Sequence, residues 1–239
     1  MGLIVPAVLP SSRKDLEEKL ELFSGITSVS RVQIDVVDGN FAAPTSWPYS
    51  DPVELQKMVT DVEMFPHLDR IEYEIDLMCL DADRVISAWL ALGVTRLTFH
   101  AESVTNLPRF LESIQKRFGD GDGFVPGLIS FGLALNISSD LALLEPCLKE
   151  ISYIQFMGIA QIGRQGQPFD RRVIENVRIF HNRHPEVPVQ VDGGISLERA
   201  KELIALGVTN LVVGSSILRA DDPNSVVAEF EMLKSQYGV

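Results

Sequence analysis

The sequence predicts a (β/α)8 barrel, or TIM barrel, with residues 1–239 forming a single domain. Three observations carry that prediction. Short apolar runs alternate with amphipathic helical stretches from end to end, about eight times over. The apolar runs are continuous rather than alternating, as strands of a buried parallel sheet are. The length, 239 residues, is close to the roughly 250 of a typical barrel of this kind. A doubly wound open sheet is the runner-up. That fold normally places a Gly-x-Gly-x-x-Gly turn after its first strand, and the turn after Leu9 is Pro10-Ser11-Ser12.

The elements follow in order. Residues 3–9 are an apolar run stopped by Pro10, and Ser12 is placed to cap a helix over 14–23 whose Leu16, Leu20 and Phe23 share a face. Strand-like runs follow at 31–36, 71–77, 94–99, 129–135, 153–157, 187–191 and 209–213. Helices are predicted over 52–64 (Pro52 near the first turn), 82–92, 107–118, around 141–148, and over 170–181, 197–206 and 226–237. Gly93 and Gly207 mark helix ends. Gly119-Asp-Gly-Asp-Gly123 reads as a surface insertion; it lacks the full spacing of a calcium loop.

Two stretches near the C-terminus carry the chemistry. Val189-Gln-Val-Asp-Gly-Gly-Ile195 and Leu211-Val-Val-Gly-Ser-Ser-Ile217 each read as a buried strand running into a small-residue turn. Gly193, Gly194, Gly214 and Ser215 let backbone N–H groups approach an anion unobstructed. In a barrel these turns fall after strands seven and eight, where phosphate sites usually lie. The ligand expected is therefore a phosphorylated small molecule.

Acidic residues gather at the same end. Asp35, Asp76 and Asp192 each close a predicted strand, and residues two apart share a face, so Gln33 points with Asp35 and Glu74 with Asp76. Inward carboxylates in an apolar barrel are costly unless paired, metal-bound or catalytic. A pair of them is what a two-base epimerisation needs: one removes a proton alpha to a carbonyl and the other returns one to the opposite face. An aldol-type cleavage would need a Schiff-base lysine or a metal, and no lysine sits at a predicted strand end.

Composition narrows the partners. Net charge is −12, which disfavours nucleic acid and anionic membranes and makes any phosphate site a local one. No apolar run reaches the roughly 18 residues of a membrane span, and the N-terminus lacks an export signal, so a cytoplasmic location is expected. Cys79 and Cys147 match no metal spacing and are expected as free buried thiols. His100 is read as a structural hydrogen-bonding group and His67 as surface. Arg164 is either a cation beside the phosphate turns or a solvated loop charge. Trp47, Pro48 and Tyr49 are either a substrate lid or a subunit contact, and a homo-oligomer is expected.

On these residues the chain resembles the ribulose-phosphate 3-epimerase family. Pro6-Ala-Val-Leu9 is similar to that family's opening Pro-Ser-Ile-Leu, and residues 33–41 to its His-Val-Asp-Val-Met-Asp-Gly-His-Phe. Asp76-Leu-Met78 stands where the family has His-Leu-Met. Thr98-Phe-His-Ala-Glu102, Gly166-Gln-Pro-Phe169, Val191-Asp-Gly-Gly-Ile195 and Val213-Gly-Ser215 match further elements in order.

The resemblance implies a barrel of the ribulose-phosphate-binding type that epimerises pentulose 5-phosphates. Asp35 and Asp192 correspond to the proton-exchanging pair, Gly193, Gly194, Gly214 and Ser215 to the phosphate site, and Gly166 to the covering loop. The family binds a divalent metal through two histidines and its two aspartates. Here Gln33 and Asp76 hold the histidine positions, and Ala7 and Pro10 replace serines. Asp35, Asp76, Asp192 and Gln33 form an all-oxygen set, which favours Mg²⁺ or Mn²⁺ over Zn²⁺; the implied cofactor is a divalent metal, Mg²⁺, Mn²⁺ or Zn²⁺, or none. Without a metal, at least one carboxylate should carry a raised pKa. The alternatives are a phosphosugar-binding barrel that has lost epimerisation and a different barrel reaction on a related phosphate.

Overall fold

Eight parallel strands pair in sequence order, and the first also pairs the last, closing a barrel. They are β1 Ile4–Val8, β2 Arg31–Val37, β3 Glu72–Met78, β4 Arg96–His100, β5 Ser130–Leu135, β6 Tyr153–Met157, β7 Val189–Asp192 and β8 Asn210–Val213. The structure is a computed structural model and describes residues 4–119 and 128–237. Most of the predicted insertion at 119–123 lies outside the described residues. Among the described residues, no helix is long and apolar enough to cross a membrane.

The connecting helices form the outer ring: α1 Arg13–Ser24, α2 Pro52–Thr60, α3 Ala82–Ala91, α4 Leu107–Ile114, α5 Arg172–Arg183, α6 Leu197–Ile204, α7 Ser215–Leu218 and α8 Pro223–Tyr237. Ser12 caps α1 by accepting from the Asp15 N–H, and α1 buries Leu16, Leu20 and Phe23. Asn106 and Ser196 cap α4 and α6 in the same way. These apolar helix faces pack on the outward strand residues, among them Val32, Ile34 and Val36 of β2, in one continuous cluster. Each fully buried side chain of this size stabilises the fold by about 1.5–3 kcal/mol.

Several boundaries differ from expectation, each with a local cause. α2 stops at Thr60, and Val62 then takes a left-handed φ of 55° that no helix continues through. The helix beginning at Leu107 loosens after Ile114 into a π turn, Gln115–Gly119. No α-helix forms over 141–148; two 3-10 turns, Leu141–Leu143 and Glu145–Glu150, take its place. Pro146 has no N–H to give to the carbonyl one α-turn earlier. The short α7, immediately after the last strand, was not foreseen.

Trp47 also departs from expectation. It is neither lid nor subunit contact: it is wholly buried, donates to Glu54 through Nε1 at 3.0 Å, and meets Trp89 edge-on at 6.1 Å. Pro48 is buried beside it, and the Tyr49 hydroxyl bonds the Asp81 carboxylate. Cys79 and Cys147 are buried free thiols, and His67 is exposed.

Candidate functional site

Parallel pairing sets the site. β2 and β3 align Gln33 with Glu74 and Asp35 with Asp76, so both strands turn the same two levels inward. β7 adds Gln190 and, two residues on, Asp192. Asp35, Asp76 and Asp192 thus meet at the C-terminal mouth of the barrel, above a buried polar layer.

Hydrogen bonds hold this layer in one arrangement. Gln33 Nε2 donates to Asp35 Oδ1 at 2.8 Å and to Asp192 Oδ2 at 3.2 Å. The Gln33 carbonyl accepts from Gln190 Nε2 at 3.2 Å, and that same nitrogen reaches Glu74 at 2.6 Å and Gln155 Oε1 at 2.8 Å. Asp76 is held from the other side, by Gln155 Nε2 at 3.0 Å and His100 Nε2 at 3.0 Å. His100 therefore has the hydrogen-bonding role expected of it. Glu74 is fully buried, and Arg96, 2.9 Å away, balances its charge.

The electrostatics follow from burial. Burial first, and then the charge of Asp76, push the Asp35 carboxyl well above its ordinary pKa, against the opposing bond from Gln33. Asp192 is raised likewise, by burial and then by the charges of Asp35 and Asp76. Burial alone would lower His100, but the charge and hydrogen bond of Asp76 outweigh it, and its pKa is raised. Two carboxyls facing one amide nitrogen form a pair that readily keeps a proton.

Asp35 and Asp192 open into a cleft that is also lined by Gly166, Gly193, Gly194, Gly214 and Ser215. The two predicted turns and the predicted covering loop thus come together at one place. Gly194, with φ 69°, shows why a side chain is excluded there: an added Cβ would lie 2.6 Å from the Phe169 backbone. The covering loop is tied down by Gln165 Nε2 to the Ala7 carbonyl at 3.2 Å and by Arg164 Nε to the Ala43 carbonyl at 3.1 Å. Both readings of Arg164 hold in part: the residue lines the cleft, yet it is exposed and its Nε is turned to the Ala43 carbonyl. Arg219, whose guanidinium lies against Gly166, was not singled out from the sequence. Its position four residues after Ser215 was the available signal.

Asp35, Asp76 and Asp192 each offer a carboxylate oxygen, all within 4.8 Å of one another, and could hold a metal ion. Such a donor set suits a hard divalent cation. Gln33 turns its N–H2 toward the aspartates, so it would serve as a ligand only with its amide turned over.

A closed parallel barrel with carboxylates and a glycine-lined cleft at its C-terminal mouth has the layout of a (β/α)8 enzyme, whose active site lies at that face. The family model described as "Ribulose-phosphate 3 epimerase family" matches residues 3–218, and the chain belongs to that family. A ribulose-phosphate 3-epimerase of Aquifex aeolicus is 25% identical, covering 98% of this chain and 96% of the relative. One of Bacillus subtilis is 26% identical over 83% and 84% of the two chains. Among solved structures, the 3-hexulose-6-phosphate synthase of Salmonella typhimurium shares the fold with a TM-score of 0.68 at 17% identity, covering 99% of this chain and 100% of that one. KGPDC from Streptococcus mutans gives 0.66 at 14% identity, over 99% of each chain.

Proposed function

We propose that this chain epimerises a pentulose 5-phosphate at C3, with Asp35 and Asp192 as the proton-exchanging pair. One carboxylate takes the C3 proton, and its electron pair passes into a C2–C3 ene-diolate. The other carboxylic acid returns a proton to C3 from the opposite face, inverting that carbon. The single observation that carries this reading is that Asp35 and Asp192 both accept from the same Gln33 nitrogen. The raised pKa of both groups favours one proton on the pair, so an acid and a base are available together. Family membership and relatives named as ribulose-phosphate 3-epimerases support the substrate.

Asp35, Asp76 and Asp192 would hold a divalent cation, Mg²⁺ or Mn²⁺ by their oxygen donors. When bound, it would supply positive charge to the developing ene-diolate. Gln155 and His100 keep Asp76 aimed at that place. Backbone N–H groups of Gly193, Gly194, Gly214 and Ser215 receive the phosphate, and the loop carrying Gly166 covers the substrate and excludes water.

The deciding experiment follows ribulose 5-phosphate in deuterated water by NMR, after chelation and again with Mg²⁺, Mn²⁺ or Zn²⁺. Deuterium entering C3 together with inversion there is expected. Absence of exchange under every condition, with the phosphorylated sugar still bound, would favour a binding barrel that has lost the reaction.

A further inference from the structure

A dianionic substrate entering this cleft meets an unfavourable field. The protein carries a net charge of −12, and two buried carboxyls sit at the far end of the cleft. Backbone dipoles at the glycine turns favour the phosphate but carry no net charge, so a side-chain cation nearby would add to them. Two exposed arginines are near the cleft: Arg164 lines it, and Arg219, beyond α7, lies outside the lining but against Gly166, which belongs to it. Neither forms an ion pair among the described residues.

Arg219 is placed rather than loose. Its backbone N–H bonds the Ser215 carbonyl at 3.1 Å, which fixes its start one turn from the phosphate turn. Its guanidinium then lies against Gly166, where an added Cβ would come within 2.6 Å of Nη2. The missing side chain at position 166 is what admits the arginine to the loop that covers the cleft. The nearby Asp222 does not compete for it, being bonded to the Ser225 hydroxyl and to the Asn224 and Ser225 N–H groups at the start of α8.

We propose that Arg219 is a specificity-determining residue for the phosphate group, a side-chain cation held over Gly166 that closes on the dianion while the backbone turns receive it. A guanidinium presents paired donors that match phosphate oxygens, so it discriminates a phosphorylated sugar from its unphosphorylated counterpart. The proposal rests on the reading of the cleft as a phosphosugar site.

The test is calorimetric titration of the full chain with inorganic phosphate, alongside the KM and kcat for ribulose 5-phosphate. Arg219→Gln is expected to weaken phosphate about five- to tenfold, the scale of one charge-assisted contact, and to raise KM by a similar factor with kcat nearly unchanged. Arg109→Gln, an exposed arginine on α4, controls for net charge and is expected to stay within about twofold. Arg219→Lys keeps the charge without the planar fork and is expected to recover part of the affinity, which also covers a Gln variant that folds poorly. Equal phosphate affinity in Arg219→Gln and Arg109→Gln overturns the proposal. Phosphate binding is read without turnover, so this outcome stands whether or not C3 exchange is observed.

Discussion

Gln33 and Asp192 are 159 positions apart in the chain, yet the Gln33 amide nitrogen lies 3.2 Å from Asp192 Oδ2. The same nitrogen donates to Asp35, two residues along its own strand. A neutral amide thus joins the two carboxyls that exchange protons in the proposed reaction. Gln190 sets its orientation by donating to the Gln33 carbonyl.

Gln33→Leu is expected to lower kcat about 100-fold by leaving both carboxyls without that shared donor, and to reduce stability by about 1–3 kcal/mol. The damage should stay local, because Gln190 keeps Glu74 and Gln155 as acceptors. Turnover and urea denaturation check this. Wild-type kcat in a folded variant would remove Gln33 from the mechanism.

Asp192→Asn should separate activity from stability. Burial and the neighbouring carboxylates raise Asp35 and Asp192. From the usual carboxylate range up to those raised values, the folded chain holds protons that the unfolded chain has released, so stability falls as pH rises through that window. The neutral amide removes one of these groups. In chelator, at about pH 8, the variant is expected to melt higher than wild type, with the difference shrinking as pH falls toward the ordinary carboxylate range. Its kcat should fall about 10³-fold or more. A variant that melts lower at every pH contradicts the assigned repulsion.

The barrel was legible because buried parallel strands leave an unmistakable apolar rhythm, and because Asp35, Asp76 and Asp192 stand at or within two residues of the ends of three of those strands. The small-residue turns were legible because Gly193-Gly194 and Gly214-Ser215 have few alternative uses. Features set by distant partners were not. Whether Gln33 offers its carbonyl or its N–H2 depends on Gln190, 157 residues away. Trp47 sits in a loop whose sequence suggests exposure, and it is Trp89, far along the chain, and Glu54, seven residues on, that enclose it. Arg219 gained meaning only from the empty space at Gly166. Periodicity predicted a helix near 141–148, but Pro146 decided between helix types.

Gly194→Ala tests the phosphate turn. Its Cβ would fall 2.6 Å from the Phe169 Cα and 2.7 Å from its nitrogen, and backbone cannot step aside as a flexible side chain would. The left-handed φ of 69° adds strain. KM for the phosphorylated sugar should rise about tenfold or more while kcat changes less, since the turn contacts a part of the substrate that does not react. An unchanged KM would place the phosphate elsewhere.

The strand-end carboxylates also predict metal preference. Three hard oxygen donors replace a set that in the family includes two histidines, and imidazole is the donor that most favours Zn²⁺ over Mg²⁺ or Mn²⁺. After chelation, Mn²⁺ or Mg²⁺ is expected to restore activity better than Zn²⁺. Asp76→His returns one imidazole to the set and removes one negative charge. It should therefore shift calorimetric preference toward Zn²⁺ by about tenfold or more. The variant also takes from His100 and Gln155 the carboxylate they hold, so a small loss of thermal stability is expected alongside. Wild-type protein that prefers Zn²⁺ would contradict the donor-set argument, and protein that takes up no cation while turning over at full rate in chelator would show that Asp76 serves as a hydrogen-bonded buried charge and not as a ligand.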